Sequence, residues 1–148
     1  MKPIEKIVVP VDFAENTNSL VAYAAYMAEK MAAAIHFVHV VADYPGDAMI
    51  GAPFAHEYQD KVMTASRERM ANLIQDYREK CPGCTGQVVS GEPVDKIVEI
   101  AGAEQADLIL ISTHGAKGLE KILLGSVAER VLHRSPCPVL IMNPFKGQ

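Results

Sequence analysis

Ile7-Val8-Val9-Pro10-Val11, followed at once by Asp12, places apolar and mostly β-branched residues on consecutive positions. A strand with one wet face alternates apolar and polar side chains. A run without alternation reads as a strand buried on both faces, which belongs in a parallel sheet covered by helices on two sides. Leu108-Ile109-Leu110-Ile111, ahead of Ser112, has the same character.

The pattern outward from Ile7–Val11 alternates. Asp12 to Ser19 is a polar stretch, after which Leu20, Val21, Ala24, Met27, Ala28 and Met31 recur at helical steps of three and four. Ile35 to Val41 reads as a second strand. Asp43 to Pro53 reads as a loop, because Tyr44-Pro45-Gly46-Asp47 is rich in turn formers. An amphipathic helix is expected from Phe54 to Lys80, with Met70, Leu73, Ile74 and Tyr77 on one face and Cys81-Pro82-Gly83 ending it. Gln87-Val88-Val89 is a weak third strand. Pro93 opens a helix whose stripe is Val94, Ile97, Val98 and Ala101, since proline's missing N–H costs nothing in a first turn. A last helix from Ser126 to Arg134 precedes a fifth strand, Pro138 to Met142. The expected fold is α/β: an open parallel five-stranded sheet, Rossmann-like, with helices on both faces; if its order is 3-2-1-4-5, the first and fourth strands flank the reversal.

The 148 residues fit one domain, 1–148, and 49 % hydrophobic with 22 % charged residues is ordinary for a globular chain. A formal net charge of −4 without a basic run argues against broad nucleic-acid binding, which needs a basic surface to neutralise phosphates. Glu29, Lys30, His36 and His39 interrupt the most apolar stretch, Leu20 to Ala42, so no membrane span is expected. No secretory leader is read at Met1, and with three cysteines the reading is a reducing cytoplasm.

In such a sheet a ligand sits beyond the carboxyl ends of the strands, where the strand order reverses. That places Asp12 and the Ser112-Thr113-His114-Gly115 segment beside one crevice. Gly125-Ser126 opens a helix, whose first N–H groups lack intrahelical partners and favour an anion. Ser126 and Glu129 equally form a Ser-x-x-Glu capping box, which stabilises a helix start without any ligand. Asp12 has a similar alternative as a cap on the turn before the first helix. The chain lacks the Gly-x4-Gly-Lys-Ser/Thr loop, a Gly-x-Gly-x-x-Gly after the first strand and a Gly-x-Ser-x-Gly elbow.

Taken together, these residues resemble the universal stress protein family along essentially the whole chain. Ile7 to Phe13 is similar to its first strand, His39-Val40-Val41 to its second, and Pro136-Cys137-Pro138-Val139-Leu140 to its last. The ATP-binding branch of that family carries Gly-x2-Gly-x9-Gly-Ser/Thr. Gly115, Gly125 and Ser126 match it at the right spacing, and Ser112 replaces its first glycine. The resemblance implies binding of ATP, with Mg²⁺ accompanying it. It implies adenine recognition by the backbone of Val40, a base pocket lined by Pro10 and Val11, and Asp12 on the ribose or a divalent cation. Gly115, Gly125 and Ser126, with Val127 beside them, would hold phosphates under a loop containing His114, Ala116 and Lys117. It also implies a homodimer paired through the C-terminal strand, using Val139, Leu140 and Ile141, that acts on protein partners.

Two other classes stay open: slow ATP hydrolysis, for which only Asp12 and His114 offer a base, and a nucleotide-free interaction module, which Ser112 keeps in play. No catalytic residue and no protein metal site is assigned. Cys81-Pro82-Gly83-Cys84 lies past a helix end and lacks further ligands, and His36 and His39, three apart on a strand, point to opposite faces. His39 reads as packed or hydrogen-bonded near the sheet end.

Overall fold

The computed structural model describes residues 1–43, 52–113 and 126–144. In chain order these form β1 (Lys6–Pro10), α1 (Thr17–Met31), β2 (Ala34–Val41), α2 (Ala52–Tyr77), β3 (Thr85–Ser90), α3 (Pro93–Ala103), β4 (Leu108–Ser112), α4 (Val127–Arg134) and β5 (Val139–Met142). All strand pairs are parallel, as the sequence pattern predicts, and the order is β3-β2-β1-β4-β5, the order taken for placing the ligand crevice.

The unbroken apolar runs are explained by a core on each side of the sheet. Ile7, Val9 and Val11 join Ile35, Phe37, Leu108 and Leu110 under α1 and α2, where Leu20, Val21, Ala24 and Met70 meet them. The intervening Val8, Val38, Ile109 and Ile111 face α3 and α4, against Val94, Ile97, Ala128 and Val131. Period-two alternation thus survives as a division between two cores rather than between core and water.

Element ends follow local chemistry. α2 starts at Ala52, so Pro53 lies in its first turn rather than in the preceding loop. α3 begins with Pro93 after Glu92, whose Oε2 accepts the Asp95 N–H at 2.8 Å. β3 is longer than its short apolar segment, because its backbone pairs with β2 from Thr85 to Ser90. Asp107 ties the sheet's amino end, its Oδ2 accepting the N–H groups of Glu5 and Lys6, both at 3.0 Å. Of the loop expected from Asp43 to Pro53, residues 44–51 lie outside the described residues. Among those described, no helix is long and apolar enough to cross a membrane.

Candidate functional site at the strand-order reversal

β1 is the strand from which the chain order runs both ways, with β2 on one side and β4 on the other. The two ladders differ in length. β1 pairs with β2 from Lys6 through Pro10, but with β4 only at Ile7 and Val8. The cause is Pro10. Lys6 O accepts from Asp107 N on the β4 side, whereas Val11 N donates to Val38 O on the β2 side at 2.8 Å. Backbone groups of successive residues face opposite edges of a strand, so position 10 faces β4. Proline has no N–H to give there, and the rung to the Leu110 carbonyl cannot form. The β1–β4 ladder therefore stops short of the carboxyl ends of both strands, at the reversal of strand order.

The turn leaving β1 is held by side chains. Asp12 Oδ1 accepts the Ala14 N–H at 2.9 Å and the Thr17 hydroxyl at 3.1 Å, an Asx turn reinforced by the first residue of α1. Phe13 takes φ 57°, a left-handed conformation uncommon for a side chain of its bulk. Such backbone is retained where surrounding contacts enforce it, and it clusters at binding sites. Here the Phe13 ring packs at 4.7 Å on that of His39, and His39 Nδ1 donates to the Val11 carbonyl at 2.7 Å. That bond fixes the tautomer, because a carbonyl can only accept.

Pro10, Val11, Asp12, Val40 and Ser112 accordingly gather at the carboxyl ends of three adjacent strands. Val11 is buried, Asp12 is exposed, and Asp12 Oδ2 has no partner among the described residues. The capping reading of Asp12 is correct for Oδ1 and leaves Oδ2 available to a ligand. Ser126 caps α4, its Oγ accepting the Glu129 N–H at 3.3 Å, while Val127 beside it is exposed. A hydroxyl that accepts one bond still carries a proton to donate, so the cap and an anion contact are compatible. His114, Gly115, Ala116, Lys117 and Gly125 lie outside the described residues.

Thr17, Phe13 and the His39–Val11 bond are site features absent from the sequence-based set. Thr17 had a usable signal, since a threonine five residues past a strand-end aspartate lies within reach of a compact turn. The left-handed Phe13 had none. The other singled-out groups are structural. His36 sits between Thr85 Oγ1 (2.7 Å) and the Gln87 amide (2.9 Å), with burial pushing its pKa down. Cys81 and Cys84 are buried in the turn joining α2 to β3, and the same effect pushes the Cys84 thiol up. Among the described residues no cluster of three or more His, Cys, Asp or Glu is placed to hold a metal ion.

Comparison with known proteins agrees with this architecture. A universal stress protein MJ0531 of Methanocaldococcus jannaschii is 31 % identical over 147 residues, covering 97 % of this chain and 85 % of that protein. The solved structure of universal stress protein UspA from Lactobacillus plantarum superposes with a TM-score of 0.85 at 21 % identity, over 97 % of this chain and all of that one. A universal stress protein in complex with cAMP gives 0.69 at 24 % identity, over 97 % and 99 % of the two chains. The Archaeoglobus fulgidus universal stress protein in complex with dAMP gives 0.62 at 19 % identity, over 95 % and 98 %. The family model described as "Universal stress protein family" matches residues 3–143. With that match over nearly its whole length, the chain belongs to the universal stress protein family.

Proposed function

We propose that this protein is an adenine-nucleotide-binding regulator, taking ATP with Mg²⁺ at the crevice between β1 and β4. The observation that carries the reading is the early end of the β1–β4 ladder where the strand order reverses, the usual ligand position of such a sheet. Pro10 ends one ladder, and the turn at Asp12 leaves both a carboxylate oxygen and the backbone edge of β2 at Val40 without a partner among the described residues. Neighbours of the same fold solved with cAMP and with dAMP, both adenine nucleotides, support the choice of base.

In this reading the Val40 backbone takes the adenine edge, and Pro10 and Val11 form the apolar wall beside it. Asp12 accepts a ribose hydroxyl or faces a divalent cation. Ser126 donates to phosphate at the amino end of α4, where the helix dipole adds to the attraction. Glu129 in the same first turn opposes it, so the backbone N–H groups and Gly125 must supply most of the phosphate contact. Gly115 and Val127 complete that contact, Ser112 stands at the motif's first glycine position, and His114, Ala116 and Lys117 cover the ligand.

Residues 1–148 act as one cytoplasmic unit that pairs with a second copy through β5. β5 is an edge strand, and its Ile141 is exposed. An unpaired apolar edge of this kind calls for a partner strand. Nucleotide binding then changes the surface offered to other proteins.

Calorimetric titration with ATP and Mg²⁺ tests the proposal beside a Gly125→Asp variant. Saturable binding near ~1 μM, about 8 kcal/mol, abolished by the aspartate, is the expected result. Absence of heat up to ~1 mM, about 4 kcal/mol, overturns it in favour of the nucleotide-free module, the reading that Ser112 favours.

A further inference from the structure

We infer that His39 is a positioning residue that keeps the Val40 backbone open for the ligand's base by occupying the carbonyl that would otherwise close it. The inference deepens the adenine-nucleotide reading and rests on it for the identity of the ligand. The argument is one of ladder arithmetic. In a parallel pair, a residue that accepts from the residue one ahead of its partner is followed, two residues on, by one that donates back across the same gap. Val11 N donates to Val38 O at 2.8 Å, so the next rung would run from Val40 N–H to Val11 O. The facing of the edges agrees, because Val41 O, one position further, accepts from Gly91 N on the β3 side.

That rung is missing. Val11 O accepts instead from His39 Nδ1 at 2.7 Å, and the Val40 N–H has no partner among the described residues. The imidazole is held in place by the Phe13 ring at 4.7 Å, itself set by a left-handed backbone. A side-chain N–H thus substitutes for a main-chain one at a single carbonyl. The released Val40 N–H, with its own carbonyl facing the same way, forms a donor–acceptor pair. An adenine edge matches that pair, with a ring nitrogen to accept and an exocyclic amine to donate. A hypoxanthine edge reverses both roles.

The test uses the full chain, with His39→Leu, which cannot donate, and His39→Asn, whose amide can reach the same carbonyl. Amide hydrogen exchange on the nucleotide-free protein comes first. Val40 should exchange at least about 100-fold faster than Val38 in the wild type and in His39→Asn, and become protected in His39→Leu. ATP and ITP affinities are then compared. The wild type and His39→Asn should prefer ATP by about tenfold or more, and His39→Leu should lose most of that preference while both proteins melt cooperatively.

A protected Val40 amide in the wild type overturns the inference whatever the ligand proves to be. So does His39→Leu keeping its preference for ATP, or losing ATP and ITP affinity in equal measure. An open Val40 amide in a wild type that binds no nucleotide overturns the adenine reading, and with it the role assigned to the open edge, while leaving the missing rung as measured.

Discussion

Among the described residues, three other than glycine hold positive φ: Phe13 at 57°, Ala32 at 55° and Gln105 at 52°. They are not equivalent. Phe13 is packed against His39 and the core beneath α1, so its conformation is enforced at the site. Ala32 ends α1 in the left-handed region, its N–H bonding back to Ala28 O and Glu29 O, and it is exposed with no side-chain role. An alanine there costs ~1–2 kcal/mol, of which the greater freedom of glycine in the unfolded chain returns ~0.4–1 kcal/mol. Ala32→Gly should therefore stabilise the protein by ~0.5–1 kcal/mol, read as a higher denaturant midpoint at unchanged slope. A lower midpoint would show that the cap carries no strain.

At the scale of elements, the site is made by where strands stop. β1 stops pairing with β4 because of one imino acid, so Pro10→Ala separates pairing from packing. The new N–H can donate to Leu110 O and extend the ladder, a gain of ~0.5–1.5 kcal/mol. Loss of the proline's restraint on the unfolded chain costs ~0.4–1 kcal/mol. The melting temperature should barely move, while the amide of residue 10 becomes protected and nucleotide affinity falls severalfold as the crevice closes. Unchanged affinity beside a protected amide would detach the crevice from binding. The same scale shows what the sequence made legible. Ile7–Val11 and Leu108–Ile111 announce doubly buried strands, and Pro93 and Ser126 announce helix starts, because those signals are local. β3 was faint, since Thr85, Gly86 and Ser90 belong to it through pairing with β2 rather than through propensity.

For the whole molecule, the sheet's amino end sets the response to acid. His36 is held below its ordinary value of 6.5, first by burial and then by Lys6, against the pull of Glu104. Its surroundings are Thr85 and Gln87 from β3, Glu104 after α3 and Lys6 from β1. The unfolded chain takes up the proton first, so this contribution is complete above 6.5 and fades as the pH falls toward the folded value. Asp107 and Glu104 are lowered too, chiefly by hydrogen bonds from Lys2 and Lys6. Their contribution persists above the ordinary carboxylate range of ~4 and is lost below it. The melting temperature should fall from about pH 7.5 to about pH 5.5, with a second drop below ~4. His36→Gln should flatten the first slope only; an unaltered slope in that variant would remove His36 from the account.

The sequence by itself determined the parallel α/β sheet, the family and the group of strand-end residues around Asp12. Those follow from apolar periodicity, turn chemistry and motif spacing, all written in neighbouring residues. Only the tertiary structure decided which backbone groups at those ends are free. Asp12 commits one oxygen to a turn because Thr17 folds back onto it. Val40 keeps its N–H because a histidine one residue earlier reaches another strand's carbonyl, and Phe13 holds a strained conformation because that histidine packs on it. Such facts depend on pairing across strands far apart in the chain, and no pattern of adjacent residues encodes them.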